Sequence, residues 1–251
     1  MMVLTLLMAA LAAPTPQASS LGSPPVNPLE SGQYLLHLDQ VTSIKLPIGR
    51  GLSSTRSLVL VELRREGDRW VQRQKTCAIA IEGSPRMVQT RIPDAFLAAL
   101  PVTEAEVQLQ PEAGGWRYTV DLGRQRIGWK HDEGREGLPQ TPEDPRVFDA
   151  DHDGNPGLTL EVSVPLFGTH EVYLVQDSHA RLDGRLVPRG AEGNITTLRL
   201  DQRVLDATSR LFARHPPEVE TRNDASRFRL QRVDEGTTCA SLQRPDDWPE
   251  G

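Results

Sequence analysis

From Gln33 onward, apolar and polar residues alternate along the chain with a period of two. Trp116, Tyr118, Val120 and Leu122 alternate with Arg117, Thr119 and Asp121, so one side of the segment can face a core while the other faces water. Leu158, Leu160, Val162 and Val164 alternate with Thr159, Glu161 and Ser163 in the same way, as do Phe228 and Leu230 with Arg227, Arg229 and Gln231. The pattern also predicts strands at 33–45, 57–65, 69–82, 106–110, 125–129, 170–178, 180–187 and 195–202. Short turn signals separate many of them, among them Glu66-Gly67-Asp68 and Leu182-Asp183-Gly184. Consecutive strands joined by tight turns make antiparallel sheet.

Only two segments have helical character. Pro93 to Leu100 begins with a proline, which a first helical turn tolerates, and stops before Pro101. Gln202 to Ala213 places Val204, Leu205, Thr208, Leu211 and Phe212 near one face and then meets Pro216-Pro217. Each follows a block of strands, a rhythm that suggests an internal duplication without residue-level repetition. A large antiparallel sheet with so few helices must curl or fold over to cover its apolar face. The expected fold is all-β, an antiparallel barrel with two short helices, with a two-sheet sandwich as the alternative.

The chain has 251 residues, enough for one large domain, and a formal charge of -6. That balance offers no long-range attraction to phosphate backbones, so nucleic acid is not an expected partner. Lys45, Lys75 and Lys130 are the only lysines among 28 basic residues, a bias that fits a GC-rich genome. Residues 1–13, MMVLTLLMAALAA, form an apolar run of signal-peptide length. It is far short of the roughly 20 residues of a membrane span, so export to the periplasm or the exterior is expected and no transmembrane span. A buried N-terminal helix is the other reading of the run. Residues 14–32 are rich in Pro, Ser and Gly and read as a flexible lead-in, leaving 33–251 as a single β domain. In an oxidising compartment Cys77 and Cys239, far apart in sequence, would form a disulfide.

The stretch VFDADHDGNPG, residues 147–157, sets acidic side chains at alternate positions ahead of a glycine. Calcium requires six to eight oxygens at about 2.3–2.6 Å, and alternating carboxylates around a glycine turn converge on one point. Asp149, Asp151, Asp153 and Gly154 fit D-x-D-x-D-G and resemble the calcium loops of EF-hand and dockerin proteins over about a dozen residues. The resemblance implies that the three aspartates are side-chain ligands, that Asn155 offers its carbonyl and that Gly154 permits the bend. It breaks where Gly157 and Leu160 stand in place of the later ligands, with Glu161 the acid that would substitute. Affinity at the weak end, about 10⁻⁴–10⁻³ M, would suit a structural calcium ion outside the cytoplasm. A solvated acidic turn is the competing account. The segment 130–157 is a long polar loop, and calcium would serve as its clamp.

Motifs for nucleophilic, zinc or nucleotide chemistry do not occur. Asp177-Ser178-His179, with His170 nearby, is the best enzymatic constellation, yet on a strand Ser178 faces away from the other two. Trp70, Trp116, Trp129 and Trp248 would line a ligand cavity or pack as core. The apolar leader, arginine-rich strands and the single acidic loop together resemble uncharacterised exported β-rich proteins of GC-rich bacteria, a resemblance that implies compartment and fold class but no activity. The expected function is non-catalytic binding of a small apolar ligand or an envelope component, with calcium as a structural ion. A secreted hydrolase with a dispersed active site and a partner-binding or inhibitor module are the alternatives.

Overall fold

The computed structural model describes residues 29–46, 49–83, 89–164, 168–214 and 218–242. The apolar run 1–13, the lead-in as far as residue 28 and Trp248 lie outside them. In chain order the elements are β1 (Gly32–Leu46), β2 (Gly49–Glu66), β3 (Arg69–Gly83), β4 (Gln89–Arg91), α1 (Asp94–Ala99), β5 (Thr103–Glu112) and β6 (Gly115–Ile127). After a long connection come β7 (Leu158–Val164), β8 (Gly168–Val187), β9 (Gly190–Ala207), α2 (Arg210–Arg214), β10 (Glu218–Thr221) and β11 (Arg227–Arg232). Each long meander, β1 to β3 and β7 to β9, is followed by a short helix whose buried side chain is a phenylalanine, Phe96 in α1 and Phe212 in α2.

All the strands join one antiparallel sheet, and β1, β2, β3, β5, β6, β8, β9 and β11 close on one another as a ring. The fold is therefore an uneven barrel. The unevenness has a simple origin: β3 and β8 are linked twice, through β5 and β6 at one end and through β4 and β7 at the other. Likewise β1 meets β11 along its first half and β10 along its second. The barrel thus has two storeys that share the long strands β1, β2, β3, β8 and β9.

The lower storey is filled. Leu36, Val61, Tyr118, Val120, Leu182 and Leu230 come from five strands of the ring and are completely buried there. Alternation explains the convergence, because every second residue of each strand points inward. Two covers lie outside the barrel. The C-terminal segment, including a 3₁₀ turn at Cys239–Leu242, packs Val233, Cys239 and Leu242 on Leu35, Leu58 and Ala78. The long connection between β6 and β7 lays Trp129, Leu138 and Val147 over Val175 and Leu205.

Several predicted boundaries need correction. Residues 202–207 continue β9 and are not helical; α2 spans only Arg210–Arg214. Val204 and Leu205, which helical spacing put on one face, point to opposite sides of the sheet, Val204 into the barrel and Leu205 under the connection. Leu182-Asp183-Gly184 is not a turn but part of β8, which runs unbroken where two strands were expected. A bulge at His179/Ala180 absorbs the irregularity, and Gly184 allows close approach to Gly193 of β9, where a Cβ would lie 2.8 Å from the Gly193 Cα. β2 begins at Gly49, well before the predicted 57, and β4 and β10 were not foreseen.

Candidate ligand cavity and acidic loop

Above the filled core the barrel is hollow. A cavity of about 810 Å³ occupies the upper storey, with Leu38, Val59, Leu122 and Ile195 of the lower core at its floor. Leu158, Leu160, Val162 and Val164 of β7 and Val172 and Leu174 of β8 line one wall. Phe96 of α1 packs on Leu158 and Leu174, and Phe212 of α2 sits with its ring 6.0 Å from that of His170. The opposite side is mixed: beside the aliphatic Ile44, Ile79 and Ile81, strands β1, β2 and β3 present Gln40 and Thr42, then Ser53, Thr55 and Ser57, then Thr76. None carries a charge. This polar wall was missed in the sequence because the run Ser53-Ser54-Thr55-Arg56-Ser57 is polar on both faces and shows no alternation.

A buried polar string joins the floor to the core. The Tyr118 hydroxyl donates to Gln72 Oε1 at 2.7 Å, Gln72 Nε2 donates to Gln74 Oε1 at 3.1 Å, and Gln74 Nε2 donates to Thr103 Oγ1 at 3.0 Å. Gln72 is fully buried, so these bonds offset the cost of taking its amide out of water. Burial pushes the Tyr118 phenol far above its ordinary range, keeping it a donor.

Three of the five predicted metal ligands come together. One oxygen from each of Asp149, Asp151 and Asp153 lies within 4.8 Å of the others. Asp149 accepts the N–H groups of Asp153 (3.3 Å) and Gly154 (2.9 Å). Asp153 accepts from the Asn155 backbone (2.8 Å) and side-chain amide (3.1 Å) and from the Thr159 hydroxyl (2.6 Å). Burial opposes ionisation of both, but these donors outweigh it and hold both carboxyls below the usual range. Asp151 differs. It is 1% exposed, its Oδ2 accepts the Thr159 N–H at 3.0 Å, and its Oδ1 is buried with no hydrogen-bond partner. Burial, and then the Asp153 charge, raise its pKa. Gly154, at φ +90°, makes the expected bend. Glu161 is engaged elsewhere: the Arg91 guanidinium donates to it at 2.9 and 2.6 Å across the β4–β7 pair.

The rest of the long connection has its own anchor. The guanidinium groups of Arg126 and Arg146 both lie over the Trp129 ring, 5.6 and 5.7 Å from its centroid, and the Trp129 Nε1 donates to the Gln176 carbonyl. Arg146, only 7% exposed, donates to Asp144 and to the carbonyls of Arg135 and Gly137. Arginine thus supplements the few apolar residues of this segment, Trp129, Leu138 and Val147.

The candidate triad is not assembled. Asp177 is buried on the outer face and bound by Arg124 and Arg199, which hold its carboxyl below the usual range. His179 Nε2 is instead 2.6 Å from Asp121, and Ser178 lines the cavity. Cys77 and Cys239 lie at disulfide distance, their Cα atoms 4.8 Å apart, and join β3 to the C-terminal cover. No helix among the described residues is long and apolar enough to cross a membrane.

No protein-family model matches the chain, and no curated protein is significantly similar to it. The structure of DynF from the dynemicin biosynthesis pathway of Micromonospora chersina overlaps it at a TM-score of 0.40 and 11% identity, over 95% of this chain and 96% of that one.

Proposed function

We propose that the protein is an exported carrier that binds a bulky, largely apolar small molecule in the upper storey of the barrel and does not transform it. The observation that carries this is the hollow of about 810 Å³ between a fully packed core and two helices. Ligand sites commonly measure about 300–1,000 Å³ and are lined mostly by apolar side chains with a few polar groups, as here. An unfilled apolar space of that size would be destabilising, whereas a ligand recovers the lost contacts. The cysteine pair at disulfide distance favours an oxidising compartment.

Native mass spectrometry of protein purified from its own host should show a retained mass that organic extraction removes. An apolar fluorescent dye should bind the extracted protein and bind more weakly to Val162→Trp, whose indole would project into the space. A dye that binds wild type and variant alike would place the hydrophobic site elsewhere.

A second reading concerns the loop at Asp149, Asp151 and Asp153. Here the buried, unpartnered Oδ1 of Asp151 supports a calcium ion, because an orphaned carboxylate oxygen beside two other carboxylates is costly unless a cation sits among them. Chelator should lower the melting temperature and open the segment 130–157 to protease, with millimolar calcium restoring both. Identical melting curves would remove the ion.

A further inference from the structure

The two long walls of the cavity are chemically unlike. In the upper storey the order around the barrel is β10, β1, β2, β3, β4, β7, β8, β9, which sets β2 across from β8 and β1 across from β7. The wall formed by β7 with Val172 and Leu174 of β8 is aliphatic, with His170 beside it and Gln176 and Ser178 further along β8. Facing it, Ser53, Thr55 and Ser57 occupy successive inward positions of β2, and Thr76 continues the patch on β3. Among the described residues none of these four hydroxyls hydrogen-bonds to another protein group, and each can donate once and accept twice. Successive inward positions on a strand lie about 7 Å apart, so the three β2 hydroxyls form a row about 14 Å long.

A purely hydrocarbon occupant would cover this row and leave it unsatisfied. A charged occupant would find no counter-ion among the inward side chains of β1, β2 and β3, and the cationic groups that border the cavity are engaged by the protein, Arg124 by Asp177, Arg126 over the Trp129 ring and His179 by Asp121. Resting on the carrier reading above, we infer that the ligand is an uncharged, facially amphipathic molecule. One long face is hydrocarbon and lies on β7 and β8; the other bears hydroxyl or carbonyl oxygens and is read by Ser53, Thr55 and Ser57.

The test uses a pair of neutral steroids, one carrying two or three hydroxyls on a single face and one with the bare skeleton, each displacing the apolar dye. The affinity ratio of hydroxylated to bare steroid is compared between wild type and the variant Ser53→Ala/Thr55→Val/Ser57→Ala. The ratio should fall by about tenfold or more in the variant, since more than one hydrogen bond is lost. Dye binding and bare-steroid binding should hold or strengthen. Thr55→Val alone, which keeps the volume, should lower the ratio about threefold and serves if the triple variant does not fold. A ratio unchanged by Thr55→Val, or wild type that binds the dye but neither steroid, would overturn the inference. Failure of the dye itself to bind wild type would instead overturn the carrier reading, and this inference with it.

Discussion

Arg146 and Asp144 show how a polar segment can be held without a hydrophobic core of its own. The Arg146 side chain donates to Asp144 at 3.0 and 2.8 Å, its backbone N–H adds another bond at 3.0 Å, and together these hold the Asp144 carboxyl at about 2. Arg135 adds attraction from 3.9 Å, and Asp132 faces that arginine in turn. Because the folded-state value lies below the unfolded one of about 3.9, the stabilisation is complete above pH 4 and is lost as pH falls through the folded value. Limited proteolysis should therefore begin to cut between residues 130 and 146 as pH drops from 4 toward 2, while the far-ultraviolet signature of the barrel persists. Cleavage independent of pH in that window would count against this pair as the anchor. The arginine was not legible as a core residue in the sequence, since only the meeting of Trp129, Arg126 and Arg146 in space reveals it.

The strands with aliphatic inward positions were the readable elements. β7 was bounded at the residues that form it and β11 nearly so, because Leu158 and Leu230 stand in clean alternation with polar neighbours, whereas the expected strands at 116–122 and 125–129 are one strand, β6, with a bulge between Asp121 and Arg124. The first half of β2 was not readable, and the reason is functional: a strand that faces a polar-walled cavity has no apolar face to announce it. For the acidic loop, the aspartates were legible from spacing alone. The engagement of Glu161 by Arg91 was not, because it depends on β4, a strand of three residues with no pattern. Gly184 was read as part of a turn where it instead permits strands to touch, and Gly190 does the same. At Gly190, on β9, an added Cβ would run into the Leu230 carbonyl of β11. Gly190→Ala should thus force these strands apart and cost about 2 kcal/mol or more, measured by urea unfolding, with Gly115→Ala, where an added Cβ meets open space, as the control.

At the scale of the whole molecule, barrel closure answers the question left open between barrel and sandwich: β11 pairs with β1, so the sheet has no need of a second layer. Cys77 and Cys239 tie the C-terminal cover to β3 across 162 residues. Non-reducing mass analysis should find them joined, and reduction should lower the unfolding free energy by up to about 5 kcal/mol, the chain-entropy bound for so large a loop. Free alkylation of both cysteines without reductant would contradict this. The pairing of β1 with β11 has one more consequence, which concerns time. Among the described strands the first in chain order hydrogen-bonds to the last, so the greasy lining stays wet until β11 has been made. Closure therefore comes late and all at once, and a factor that shields exposed apolar strands would have its longest window on this chain before β11 docks.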